Sequence, residues 1–424
     1  MTGWVCQEHS WGLRPLGLPS GFGPARATAF LLVPVETPTR EQGQERVQEL
    51  WNRGAAMYEL GRYREAVRWT RKLEPLRPRD VHLLANLGIM LRDAGELAAS
   101  EEYFRRACAI EPDNAAVHYN LALTLLRAGQ YREGFREHEW RWQISAFQAQ
   151  CRQFARPAWD GRPLAGQRIL LYGEQGAGDN LQFMRYAPLV RAAGGQVVLE
   201  VLPPLERLTT WMEGGYETVT ALTPGVEYEW QCPLMSLPHL FGTEMGVLPP
   251  PARFEIPREV RERWAARIPP GSLRVGMVWA GNPKHMNDRW RSVPLAYLLR
   301  LLEAREARLF SLQMGGAAEE LAAAGVTRRV VDLRPEIGDY GDTAAAIAAL
   351  DLVITVDTSV AHLAGSLGKP VWNLVAYASD WRWQMEREDT PWYPSMRIFR
   401  QQRPGDWGGV MDRVVSELRL RTPS

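Results

Sequence analysis

The second half of the chain alternates between two hydrophobic periods. Short continuous apolar runs, of the kind a strand buried on both faces requires, occur at residues 168–172 and 196–201, more weakly at 218–222 and 230–234, and again at 274–279, 308–312, 330–332 and 352–356. Between them lie stretches with helical spacing at 181–193, 258–267, 295–303, 318–323 and 343–350. Strands alternating with helices predict βαβ units and parallel sheets. Pro249-Pro250-Pro251 divides the series in two. The pattern therefore predicts an α/β part made of two Rossmann-like domains, residues 167–256 and 257–424, facing each other across a cleft.

Ahead of residue 150 the period is different. Gly54, Gly88 and Ala122 recur at an interval of 34 residues, as do Gly61, Gly95 and Gly129; Tyr63, Leu97 and Tyr131; Ala66, Ser100 and Gly134; and Pro78 and Pro112. Small residues at fixed points let paired antiparallel helices approach closely, the second glycine ends the first helix, and the proline closes the second. The pattern resembles the tetratricopeptide repeat (TPR), with three units over residues 47–148, the third degenerate after Gly134. Such units stack into an α-solenoid that holds a peptide or partner protein, or that braces the next domain. Residues 1–46, rich in Gly and Pro without a sustained period, are expected to form a flexible tail. Residues 149–166 follow Trp140-Arg141-Trp142 and contain Trp159, an aromatic density that predicts a packed joint instead of a loose linker.

Composition narrows the classes. With 46% hydrophobic and 23% charged residues among 424 the chain is globular, and a net charge of +1 gives no electrostatic footprint for nucleic acid or an anionic membrane. Among the 50 basic residues only Lys72, Lys284 and Lys369 are lysines, so a lysine in a loop carries more information than an arginine. Cys6, Cys108, Cys151 and Cys232 lack metal-ligand spacing and are expected to be reduced thiols of a cytoplasmic protein. No apolar run approaches the roughly 18 residues of a membrane span, and residues 29–35 are too short for a signal peptide.

Four stretches carry candidate chemistry. In residues 351–372 an apolar strand runs into Asp357-Thr358-Ser359, then a small-residue helix with His362, then Gly368-Lys369-Pro370 and a second apolar strand. Hydroxyls and backbone N–H groups at the positive end of a helix suit a phosphate or diphosphate, although an ordinary capped turn reads the same way. After the first strand comes Gly173-Glu174-Gln175-Gly176-Ala177-Gly178-Asp179-Asn180, where glycines let the backbone approach a ligand. There Asp179 or Asn180 caps the following helix, or Asp179 takes a proton from an attacking hydroxyl. A third loop, residues 279–292, is polar and carries Lys284, Arg289 and Arg291, a set able to clamp a diphosphate or simply to be solvated. The fourth, residues 377–394, interleaves Trp381, Trp383 and Trp392 with Asp380 and Arg382, and reads either as a stacking platform for a base or sugar or as a core wedge.

Taken in order, Gly173-Glu174-Gln175-Gly176-x-Gly178-Asp179, Trp279-Ala-Gly-Asn-Pro, Asn287-Asp288-Arg289-x-Arg291-Ser292, Asp357-Thr358-x-x-x-His362-Leu-Ala-Gly365 and Asp380-Trp381-Arg382-Trp383 resemble the bacterial TPR-containing glycosyltransferases. Their catalytic part is similar to the ADP-heptose:lipopolysaccharide heptosyltransferases and has the GT-B fold. The resemblance spans residues 47 to about 410 and implies a metal-independent, inverting transferase without a cofactor, the nucleotide sugar being a substrate. It implies that Asp179 is the general base, and that Asp357, Thr358, Ser359 and His362 cradle the donor diphosphate. Ser359 stands where those enzymes carry glycine. Lys284 and Arg291, on a loop with Arg289 and Ser292, would meet the leaving group, and Asp380, Trp381 and Arg382 would be substrate contacts. The partner expected at the TPR array is a protein or peptide acceptor. The rival readings are a catalytically inactive TPR scaffold with a nucleotide-sugar-binding GT-B part, and a GT-B epimerase.

Overall fold

The computed structural model describes residues 41–148, 152–221, 223–285 and 287–421. Most of the expected tail, together with Cys6 and Cys151, lies outside them. The repeat region is three helix pairs: α1 (Glu41–Glu59) with α2 (Tyr63–Thr70), α3 (Val81–Asp93) with α4 (Leu97–Ile110), and α5 (Ala115–Arg127) with α6 (Tyr131–His138). The first helix starts at Glu41, earlier than the repeat period indicates, because the Glu- and Gln-rich run ahead of residue 47 favours helix. Gly61, Gly95 and Gly129 take φ of 73°, 86° and 80°, the left-handed conformation that ends each first helix. Asp80 and Asn114 cap α3 and α5 by accepting the N–H of Leu83 (3.0 Å) and Val117 (3.2 Å). Where the third unit departs from the period, α6 gives way to a 3-10 turn, Glu139–Gln143.

Two parallel sheets follow. The first has the order β3-β2-β1-β4, from β1 (Arg168–Tyr172), β2 (Gln196–Glu200), β3 (Glu217–Val219) and β4 (Trp230–Pro233). The second has the order β10-β9-β8-β5-β6-β7, from β5 (Leu273–Val278), β6 (Ala307–Ser311), β7 (Val330–Asp332), β8 (Leu352–Val356), β9 (Val371–Val375) and β10 (Met396–Arg400). β8 and β9 are buried along their whole length, as their unbroken apolar runs require. The second sheet has the doubly wound Rossmann order, which reverses between β5 and β8. Among the described residues, no helix is long and apolar enough to cross a membrane.

Several expected elements are adjusted. The helix expected at 181–193 is broken into Ala177–Phe183, a 3-10 turn Met184–Tyr186 and Ala187–Ala192, since Pro188 favours the first turn of a new helix. β10 and the closing helix Trp407–Arg421 were not anticipated. Arg397 and Arg400 interrupt the apolar pattern of β10, an edge strand directly after a proline- and aromatic-rich loop. The joint is packed: Trp159 is buried, its N–H donates to the Gln231 carbonyl at 2.9 Å, and the Gln231 N–H donates to that of Pro157 at 3.1 Å.

The repeats are not a separate arm. Leu126, Tyr131 and Phe135 lie in one continuous core with Phe183 of the first domain and Trp381 and Trp392 of the second. The Trp392 indole N–H donates to the Tyr131 hydroxyl at 3.1 Å. Tyr377 donates to the Ala94 carbonyl at 3.2 Å, and Arg127 to the carbonyl of Ser379. The array is a third wall packed against the two sheet domains.

Candidate active site

The crevice outside the carboxyl ends of strands that flank an order reversal is where open α/β sheets place ligands. Here β5 ends in the 279–292 loop and β8 in Asp357-Thr358-Ser359. The Gly173–Gly178 loop of the first domain, which follows β1, faces that turn across the cleft. A Cβ built on Gly178 would stand 2.9 Å from the His362 ring and 3.5 Å from the Ser359 Cα, so only glycine admits this approach.

At the centre one guanidinium serves three acids. Arg382 donates to Asp179 at 2.5 Å and to Asp380 at 2.9 Å, and its Nε donates to the Gln182 side chain. Asp357 interacts electrostatically with both Asp380 and Arg382. The Arg382 side chain is 8% exposed, whereas Asp179 keeps 21% and Asp380 36% open to the cleft. Burial raises the Asp179 carboxyl above the usual carboxylate range while Arg382 pulls it down. Burial, reinforced by Asp380, pushes Asp357 up to about 6. Asp380 itself is held low, because Arg382 outweighs its burial.

Asp179 is not the N-cap of its helix, and neither is Asn180. Gly176 occupies that position, and Asp179, three residues in, reaches back to accept the Gly176 N–H at 3.0 Å. The Asn180 amide donates to the Gly176 carbonyl at 2.9 Å. Gly176 is also exposed on the loop, and Gly173 lies against Asn180 so tightly that a Cβ would meet its Oδ1 at 2.0 Å. The Gln175 amide nitrogen is buried there without a hydrogen-bond partner.

Glu174 faces away from the cleft. Its carboxylate takes two bonds from Arg141 of the 3-10 turn after α6, at 2.7 and 2.8 Å, with the arginine side chain fully buried. Arg141 also donates to Glu139 (2.6 Å), Ser236 (2.8 Å) and the His138 carbonyl (3.1 Å), which occupies all of its N–H groups. This residue, which the sequence reading did not single out, ties the repeats to the glycine-rich loop after β1. The only sequence signal was the tryptophan pair around it.

On the opposite side, Thr358 holds the N-cap position of the Ser359–Ser366 helix, but its hydroxyl turns to Thr355 (3.2 Å). The Ser359 hydroxyl is engaged with that of Tyr340 at 2.7 Å. His362 is buried with Nδ1 3.0 Å from the Tyr393 hydroxyl, and burial lowers it to about 3, so the ring is neutral. In the β5 loop, Ser292 donates to Asp288 (2.8 Å) and accepts the Gly281 N–H (3.0 Å), while the Arg291 guanidinium occupies the space a side chain at Gly281 would need. Lys284 is exposed on the same loop. Arg289 is not with them: it pairs with Glu59 of α1 at 2.5 Å. The aromatic stretch is a wedge and not a platform, because Trp381, Trp383, Trp392 and Tyr393 are all buried, while Arg382 of the same stretch pairs with Asp179 and Asp380. Among the described residues no group of three or more His, Cys, Asp or Glu side chains is arranged to hold a metal ion.

Comparison with known proteins agrees with this division. The tetratricopeptide repeat model matches residues 103–135, and the glycosyltransferase family 9 (heptosyltransferase) model matches residues 302–406. Protein FlbA of Caulobacter vibrioides is 27% identical over 432 residues, a match covering 87% of this chain and 72% of that one. Among solved structures, E. coli ADP-heptose LPS heptosyltransferase II aligns with 60% of this chain and 99% of its own at 12% identity and a TM-score of 0.43. A family 9 glycosyl transferase from Veillonella parvula aligns with 62% and 100% at 11% identity and a TM-score of 0.47. A Thermobaculum terrenum O-GlcNAc transferase aligns with 91% and 93% at 15% identity and a TM-score of 0.27. The chain thus carries a stretch, residues 103–135, that matches the tetratricopeptide repeat and another, residues 302–406, that matches the glycosyltransferase family 9 (heptosyltransferase) model, the latter within the second of its two parallel sheets.

Proposed function

We propose that this protein is a metal-independent, inverting glycosyltransferase that moves a sugar from a nucleotide diphosphate donor to an acceptor hydroxyl, on a protein held by the repeats. The observation that carries the reading is Asp179: a carboxylate open to the cleft, opposed across it to the Asp357–Ser359 turn, and held between burial and Arg382. A general base at neutral pH must be ionised and yet avid for a proton. Arg382 supplies the first condition and burial the second.

On this reading the acceptor oxygen attacks the anomeric carbon as Asp179 takes its proton, and the bond to the diphosphate oxygen breaks on the opposite face of the sugar. The leaving charge falls toward Arg291, Lys284 and the N-terminal turn of the Ser359–Ser366 helix. A protein acceptor is the occupant a repeat array suits, and α5 packs against the Trp381–Trp383 turn, which brings the third repeat beside the acids.

Asp179→Asn keeps the size of the side chain and an acceptor for the Gly176 N–H while removing the base. Turnover of a nucleotide sugar by this variant is expected to fall roughly 10²- to 10⁴-fold with donor affinity retained. Undiminished turnover would remove Asp179 from the role.

A further inference from the structure

The β5 loop carries one side chain that the reading above leaves idle. His285 keeps surface exposure on that loop while its ring lies near Arg291, Asp288 and Asp380, and its Nδ1 accepts the backbone N–H of Asn287 at 3.2 Å. A ring nitrogen that accepts a hydrogen bond carries no proton, so the neutral ring holds its single N–H on Nε2. The backbone secures the loop from both sides: the His285 N–H donates to the Asn282 carbonyl at 2.9 Å, and the Asp288 N–H donates to the His285 carbonyl at 2.9 Å. The imidazole is thus fixed in tautomer by its own loop, on the loop that bears Lys284, Arg291 and Ser292.

We infer that His285 is a substrate-binding residue that donates its Nε2–H, as a neutral imidazole, to a phosphate oxygen of the nucleotide diphosphate. The inference rests on the proposed transferase reading and adds to it a contact that no charge pattern reveals. The charged groups facing the ring are Arg291, which opposes its protonation, and Asp380 and Asp288, which favour it. Although the residue keeps an exposed face, the protein packed around the ring strips water from it, and this desolvation together with Arg291 prevails and lowers His285 to about 4. Protonation would also place a hydrogen on Nδ1 against the Asn287 N–H and break the turn. The contribution of the ring to binding is therefore constant through the neutral range, unlike that of an imidazolium.

The test combines two readouts on the full chain. Calorimetric titration with UDP, ADP and GDP is carried out between pH 5.5 and 8.5 on the wild type, His285→Ala and His285→Gln. The alanine variant is expected to bind the preferred nucleotide about tenfold more weakly, the size of one hydrogen bond to a charged acceptor. The ratio to wild type should stay constant across the pH range, and glutamine, whose amide N–H reaches similarly far, should restore part of the loss. Histidine-selective nitrogen NMR on the ligand-free protein should show one Nε2–H tautomer, absent in His285→Gln, that does not titrate in the same range. Equal affinity of wild type and alanine variant, a ratio that falls with rising pH, or a titrating His285 signal would each overturn the inference while leaving the transferase reading in place. Failure of the wild type to bind any of the three nucleotides would overturn both.

Discussion

Arg141 offers the most direct test of how the repeats and the glycine-rich loop after β1 are joined. Its side chain is fully buried and makes two bonds to Glu174, whose own side chain is 6% exposed. Removing one partner of a buried ion pair strands the other, at a cost of about 3–5 kcal/mol, whereas replacing both by apolar groups is often neutral or better. Arg141→Met should therefore destabilise the protein by about 3–5 kcal/mol at pH 8, and Arg141→Met/Glu174→Leu should regain much of it. Glu139 also loses its partner in both variants, but it is 26% exposed and keeps the Ser236 hydroxyl, so its share is smaller.

The loss should depend on pH with a definite sign. Glu174 is already raised by burial even with Arg141 beside it. Without Arg141 its folded-state pKa rises further above the unfolded value, so the folded variant binds a proton that the unfolded chain does not. Stability then falls as pH rises, and acidification toward pH 5 should return part of what was lost. Urea denaturation of wild type, both single variants and the double variant at pH 5.5 and 8 completes the cycle. A cost below about 1 kcal/mol for Arg141→Met, within the range of exposed pairs, would refute the argument. So would a double variant worse than the sum of the singles.

Other outcomes follow from the same geometry. Asp357, raised to about 6 by burial and Asp380, stays protonated in the folded state where the unfolded side chain has already ionised, so it lowers stability as pH climbs from about 4 to 6. Asp357→Asn should accordingly be more stable than wild type at pH 8 by up to about 3 kcal/mol and nearly indistinguishable from it near pH 4 in thermal scans. Gly178→Ala pushes against a histidine ring held by Tyr393, which should cost about 1–3 kcal/mol of stability and weaken nucleotide binding in calorimetry. Removing the repeats up to residue 148 strips Leu126, Tyr131 and Phe135 from the shared core, so the remainder should lose its near-ultraviolet circular dichroism and bind a hydrophobic dye. A truncated chain with native spectra would show the array to be dispensable.

The sequence made legible whatever depends on local period or local backbone. Gly61, Gly95 and Gly129 announce three helix turns at one spacing, and all three adopt the left-handed conformation that makes glycine useful there. The apolar run before Asp357 places that residue at a strand end, and the chain order of the strands carries most of the second sheet. Contacts between distant residues were hidden. Arg382 meets Asp179 across 203 positions and Arg141 meets Glu174 across 33; the motif around Arg382 and the tryptophans beside Arg141 mark the two stretches, but nothing local names either arginine's distant partner. Arg289 illustrates the same limit: its loop suggests a phosphate clamp, but the nearness of α1 gives it an anion in Glu59 that no local pattern announces.

Three carboxylates about one guanidinium make a net negative cluster, and a nucleotide diphosphate is negative as well. On the proposed reading the two must be kept apart, and the cleft does so by dividing its charge. Asp179 and Asp380 sit with Arg382 on one side, while Lys284 and Arg291 stand on the β5 loop. Asp357 lies within the electrostatic reach of both Arg291 and Asp380, and it is the acid whose charge is withheld until about pH 6. Such a gradient orients a bound donor before any specific contact forms, with the diphosphate toward the arginine of the β5 loop and the sugar toward the acids. An acceptor arriving along α5 then meets the sugar from the side of Asp179, opposite the leaving group, which is the alignment in-line displacement requires.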